Sequence, residues 1–204
     1  MLPLIRQIWP GPRPDMDARV ICASWEDVPL PRQSQHIVIG DGSLNVLSAP
    51  DGVRDIFASM ERLLHPDGLL LLRIFCRPDM TEKPFELISA LYNGLIGNPH
   101  ILKWRLAMAL HGALADGVRL ADVWDAWHAA FPSPEALAQE TGWRLEAVRT
   151  IDAYRGVESR YIFPTLSEVQ MCLKPAFEVV EWVIPSYELG ERCPIIAIRR
   201  RVRP

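Results

Sequence analysis

The chain has 204 residues, 49% of them hydrophobic and 23% charged, with a formal net charge of −3. That length and composition suit a single globular domain with a real core and exclude a disordered chain. The charge gives no general attraction to nucleic acid or an anionic membrane. No apolar run approaches the ~20 residues that span a bilayer, so neither partner is expected.

The one basic cluster is Arg199, Arg200, Arg201 and Arg203 at the C-terminus, which reads as solvated residues closing a last strand. Cys22, Cys76, Cys172 and Cys193 show no Cys-x-x-Cys spacing, so no zinc site is expected. They read as buried thiols in a reducing compartment. Met1–Pro14 lacks the long apolar stretch of a signal peptide, and a cytoplasmic location is expected.

In chain order, Ala18–Ser24 (ARVICAS) and His36–Gly40 (HIVIG) are rich in β-branched residues and read as strands. Val53, Ile56, Phe57, Met60, Leu63 and Leu64 recur at helical spacing. Asp51 stands near the start of that helix, and His65-Pro66-Asp67-Gly68 reads as its stop. Gly68–Phe75 (GLLLLRIF) is a third strand, and its continuous apolarity fits a sheet covered on both faces. Strand, helix, strand over this distance is a βαβ unit with a right-handed crossover.

The pattern then turns helical, which divides the chain into a core of residues 1–81 and 151–204 and a helical insertion or cap of residues 82–150. Ile101–Leu114 reads as one helix of the cap, and Leu120, Val123, Trp124, Trp127 and Phe131 as the stripe of another. A further helix starts at Ser133 (N-cap) and Pro134 and stops at Gly142. Thr165 and Glu168 form a capping box for a helix that ends near Lys174-Pro175. Phe177–Ile184 and Pro194–Arg199 follow as an antiparallel pair at the end of the sheet. The fold class expected is α/β: a Rossmann-like, mostly parallel sheet with an antiparallel C-terminal hairpin and a helical insertion.

Ligands of open α/β sheets bind beyond the carboxyl ends of the strands. Here those ends are Ser24-Trp25-Glu26-Asp27, Gly40-Asp41-Gly42-Ser43 and Arg73–Pro78. A flat heterocycle could rest on Trp25. Each element also has a structural reading: Asp41-Gly42 is a common turn, Trp25 could cover the sheet edge, and Arg73 could pair with a neighbouring acid.

The segments VICASWEDVPLPRQSQHIVIGDGSLNVL and MERLLHPDGLLLLRIF, with the closing FEVVEWVIPSYELGERCPIIAIRR, resemble class I S-adenosylmethionine-dependent methyltransferases. They look like that family's third and fourth strands, the helix and turn before its fifth, and its reversed final hairpin. The resemblance implies S-adenosyl-L-methionine as cofactor, with Ser24 and Trp25 beside the adenine. It places Gly40, Asp41 and Gly42 beside the methionine part, with Ser43 and Asn45 nearby. Ser24 departs from the family, which often has an acid there. The family's glycine-rich loop and ribose-binding acid are not found before Val20, and Met1–Pro10 looks like the helix after its second strand. Either the natural start lies upstream of Met1, or the chain is a shortened relative with weakened cofactor binding.

The function expected is methyl transfer to a small-molecule acceptor, with Asp41, His100, His111 and His128 as candidate bases; a lone helical histidine is more often structural. The rival is a non-catalytic binding or assembly module that uses an exposed sheet edge, as in a homodimer. A general nucleotide-dependent enzyme is disfavoured, since neither Gly-x-Gly-x-x-Gly nor Gly-x-x-x-x-Gly-Lys occurs.

Overall fold

The computed structural model describes residues 21–173 and 176–201. The expected helix of Met1–Pro10 and the start of the Ala18–Ser24 strand lie outside the described residues. A four-stranded sheet has the order β1-β2-β6-β5, formed by β1 (Gln35–Asp41), β2 (Leu64–Arg73), β5 (Phe177–Val183) and β6 (Ile195–Arg200). β1 and β2 are parallel, whereas β6 is antiparallel to both β2 and β5. β5 therefore runs with β1 and β2, and the last hairpin reverses as the sequence suggests.

Helix α1 (Asp51–Leu63) joins β1 to β2, and α7 (Leu166–Leu173) precedes β5. Both crossovers advance in the same direction across the sheet, so right-handedness puts both helices on one face. Ile56, Phe57 and Met60 of α1 and Val169 and Leu173 of α7 accordingly share a core with Leu70, Leu72, Ile196 and Ile198. The strands alternate, so Ile37 and Ile39 point away from these helices and are 62% and 70% exposed.

The expected stop at His65–Gly68 is instead the start of β2. Gln35 pairs with Leu64 and Ile37 with Leu69, so the extra residues of β2 bulge out between these pairs. Gly68 is needed there, because a Cβ would lie 2.9 Å from the Gln35 carbonyl oxygen.

Between β2 and α7 lie α2 (Pro84–Tyr92), α3 (Pro99–Ala109), the strand pair β3 (Val118–Arg119) and β4 (Arg160–Tyr161), α4 (Leu120–Ala130), α5 (Pro134–Thr141) and α6 (Leu145–Val148). They enclose a second core around Leu102, Met108, Trp127, Val148 and Phe163. Helix α3 ends short of the expected Leu114. The backbone turns at Leu110, and the buried His111 ring bonds the Gly112 carbonyl oxygen at 2.8 Å. As expected, Ser133 Oγ accepts the Ala136 amide, and Gly142 caps α5 at a φ of 72°.

Candidate functional site

The first expected strand is not formed over residues 21–24, which are irregular and exposed. Ser24 turns the chain instead: its Oγ accepts the Glu26 amide at 3.3 Å, and its carbonyl accepts the Asp27 amide at 3.3 Å. Pro29 and Pro31 follow, and proline cannot donate to a ladder. The segment is tied to α1 through its carbonyls. Ser59 Oγ donates to Trp25 O at 2.8 Å, and Arg62 donates to Val28 O at 3.3 Å and Leu30 O at 3.2 Å.

This path brings Trp25 against the carboxyl end of β1. Trp25, Val38, Gly40, Ser43, Met60 and Leu72 border one apolar crevice on the α1 face. Its free volume is about 10 Å³, the scale of a single water molecule. Trp25 is 42% exposed and roofs this space. An adenosyl group does not fit while the indole stays where it is. The glycines of the tip are accounted for by protein neighbours. A Cβ on Gly40 would come within 2.5 Å of Ser43 Oγ, and one on Gly42 (φ 62°) within 2.8 Å of the Phe75 ring.

Asp41 does not join Trp25. Strand alternation sends its carboxylate to the opposite face, where it grips Arg73, its cross-strand partner in β2. Arg73 Nε and Nη2 each donate to Asp41 at 2.6 Å, a bidentate pair. The guanidinium also lies 5.5 Å from the Phe75 ring centroid, and its Nη1 donates to Tyr187 Oη at 3.4 Å. Hydrogen bonds to Asp41 and Tyr187 hold Arg73 in its charged form, above the ordinary arginine range. Asp41 is thus occupied as the acceptor of an ion pair, which argues against its service as a free base.

Tyr187 was not legible in the sequence, because it sits in the turn between β5 and β6. That turn is firmly set. Glu188 accepts the Gly97 amide at 2.9 Å, Leu189 is buried at a φ of 68°, and Arg192 pairs with Glu82 at 2.6 Å. Its signal was the buried apolar residue and glycine of Leu189-Gly190 inside an otherwise polar loop.

Asn45, just beyond the tip, is 2% exposed and fully engaged. Its side-chain amide donates to the carbonyls of Phe75 at 2.8 Å and Ile162 at 2.7 Å, and Oδ1 accepts the Phe75 amide at 3.1 Å. It fastens the strand ends to the helical layer and has nothing left for a ligand.

None of the three candidate histidines borders the Trp25 crevice. His111 is buried, His128 stacks on Trp124 at 4.0 Å, and burial lowers the pKa of His100. The cysteines divide. Burial pushes Cys76 up to about 12 and Cys193 up to about 11, which makes them inert thiols, whereas Cys22 is exposed rather than buried. Among the described residues no group of three His, Cys, Asp or Glu could hold a metal ion, and no helix is long and apolar enough to cross a membrane.

The protein PH0226 from Pyrococcus horikoshii OT3 is similar in structure, with a TM-score of 0.51 at 9% identity, over 98% of this chain and 65% of that one. The fold is Rossmann-like. Further similar structures are a candidate Zn-dependent alcohol dehydrogenase from Rhodobacter sphaeroides (TM-score 0.49, 11% identity, 88% of this chain and 65% of that one) and a candidate type II methyltransferase from Anaeromyxobacter dehalogenans (TM-score 0.25, 12% identity, 87% and 68%). This chain therefore spans 65% of the length of the first two. No family model matches, and no curated protein is similar enough in sequence to match. What PH0226 shares with the Rossmann-like core here is the fold.

Proposed function

We propose that this chain takes part in S-adenosylmethionine-dependent methyl transfer to a small-molecule acceptor. The observation that carries the reading is the strand order β1-β2-β6-β5, in which a reversed strand is wedged between two that run with β1. The family that the sequence resembles ends its sheet in the same way, and the resembling segments include these strands. The acceptor is small on this reading, since among the described residues no basic stripe lines the strand ends for a nucleic acid.

On this reading the adenine lies beside Ser24 and Trp25 and the methionine part beside Gly40–Gly42, and the adenine enters only after the Trp25 indole swings outward, then stacks on the incoming ring. The tip backbone would face polar cofactor atoms. No proton-transfer role is assigned, because Asp41 is held by Arg73.

Calorimetric titration with S-adenosylhomocysteine tests the reading. Binding is expected, and Trp25→Ala should weaken it about tenfold, the loss of one aromatic contact, with an unchanged melting temperature. Unchanged affinity in that variant would remove the adenine from this crevice, and absence of binding to the native chain would end the methyl-transfer reading.

A second reading draws on the closed crevice and the occupied Asp41, both of which suit a methyltransferase-like module that binds no cofactor. It predicts no heat with S-adenosylhomocysteine at any concentration.

A further inference from the structure

Lysine occurs three times in this chain, as Lys83, Lys103 and Lys174. Lys83 and Lys103 both aim their ammonium at an aromatic ring. Lys83 Nζ lies 5.9 Å from the Phe85 ring centroid, and Lys103 Nζ lies 5.1 Å from that of Tyr154. Their surroundings differ. Lys83 and Phe85 are exposed, whereas Lys103 of α3 and Tyr154 are half-buried.

The side of Lys103 that meets Tyr154 is aromatic throughout. Tyr154 meets Tyr161 edge-on at 6.2 Å, Tyr161 lies nearly parallel to Trp104 at 6.1 Å, and Trp104 stacks on Phe75 at 4.5 Å. All four rings pack on the second core.

A lysine seldom leaves water without a carboxylate to accompany it. Among the described residues Lys103 makes no ion pair, and burial lowers its pKa. A ring face supports an ammonium less firmly than a carboxylate does. Folding therefore moves Lys103 toward the free amine, the form that attacks carbon. His100, one turn earlier on α3, supplies no counter-charge, since burial and the Lys103 charge lower its pKa too. Burial also keeps Tyr154 a neutral phenol.

We propose that Lys103 is a covalent capture site for uncharged aromatic aldehydes, which it holds as an imine. The step balances without a co-reactant. Nζ adds to the carbonyl carbon, the carbonyl oxygen takes up the amine proton, and the carbinolamine loses water as the C=N bond forms. The rings around the amine offer an apolar face to the ring of the aldehyde. An anionic acyl donor is disfavoured, because the guanidiniums next in sequence to Trp104 and Tyr154 are taken. Arg105 pairs with Glu82, and Arg155 lies over the Trp124 ring. Lys103 does not border the Trp25 crevice, so this inference is independent of cofactor binding.

Reductive labelling of the full chain with benzaldehyde and sodium cyanoborohydride at neutral pH, mapped by peptide mass spectrometry, tests it. Lys103 should be benzylated about tenfold faster than Lys83, whose ring contact is alike but exposed. Its rate should level off below the ordinary lysine value of about 10.4. The preference should vanish in urea and be smaller for acetaldehyde, which has no ring. Lys103→Arg should remove the fast phase while leaving the melting temperature unchanged. Equal rates at Lys83 and Lys103 overturn the proposal. So does a preference that survives urea, one as large for acetaldehyde, or a fast phase that remains in Lys103→Arg. None of these readouts involves S-adenosylhomocysteine, so the two proposals fail separately.

Discussion

His111 shows how burial converts a candidate catalytic group into a structural one. It is 6% exposed, its Nδ1 bonds the Gly112 carbonyl oxygen, and its Nε2 is buried without a partner. Burial lowers its pKa against the opposing hydrogen bond that the ring donates to the Gly112 carbonyl oxygen, and the charge of Arg77 adds to the lowering. The folded chain therefore favours the neutral ring. Above the ordinary value of about 6.5 the ring is neutral in both states, and its full contribution to stability is present. As the pH falls below about 6.5 the unfolded chain takes up a proton that the folded chain resists, and stability drops until the lowered folded value is reached. Urea midpoints should therefore fall between about pH 7.5 and about pH 5.5, and His111→Leu should make that fall shallower. A slope as steep in the variant would place the effect on other groups. Part of it persists in any case, because the pKa of His100 is also lowered. The sequence alone marked His111 as a helical histidine; it could not show that the helix stops at Ala109 and folds the ring inward.

At the scale of elements, legibility followed the range of the forces involved. Caps are local, and they were read correctly. Thr165 and Glu168 satisfy each other's amides at 2.6 Å and 3.3 Å, and Ser133, Pro134 and Gly142 bound α5 as their chemistry requires. Thr165→Ala should cost about 1 kcal/mol in urea denaturation, while Thr165→Ser should cost much less. Equal losses in the two variants would mean that the methyl group, not the hydroxyl, matters there. Glu168 also pairs with Arg77 at 2.9 Å and 3.0 Å, so this cap doubles as a tie to the loop after β2. Strand ends were less legible. Ala18–Ser24 has a strand-like composition, yet its described residues turn at Ser24, where a side-chain hydroxyl and the following prolines compete with ladder formation. His65–Gly68 has the composition of a helix stop and a turn, but pairing with β1 draws it into β2 as a bulge.

At the scale of the molecule, Asn45 is the most buried polar side chain among the described residues, and it ties the loop after β1 to Phe75 and Ile162. Asn45→Ala would leave the Phe75 amide and the carbonyls of Phe75 and Ile162 short of partners. The expected cost is about 1–3 kcal/mol for each such group that water cannot reach, seen as a lower urea midpoint. Hydrogen exchange should quicken at Phe75 and Ile162 before it does so in the strand interiors. An unaltered midpoint would mean that water replaces the amide and that the junction is wetter than its burial implies.

Apolar periodicity, caps and turn residues are written within a few positions of one another, so the sequence by itself determined the α/β class, helix α1, the reversed hairpin and both capped helices. Which face each strand tip points to depends on pairing between residues far apart in the chain. Only the tertiary structure could decide that Trp25 shares a crevice with Gly40 and Ser43, that Asp41 is turned away to Arg73, and that Tyr187 stands over that pair. The half-burial of Lys103 beside Tyr154 belongs to the same class of fact: exposure is a property of what packs around a side chain.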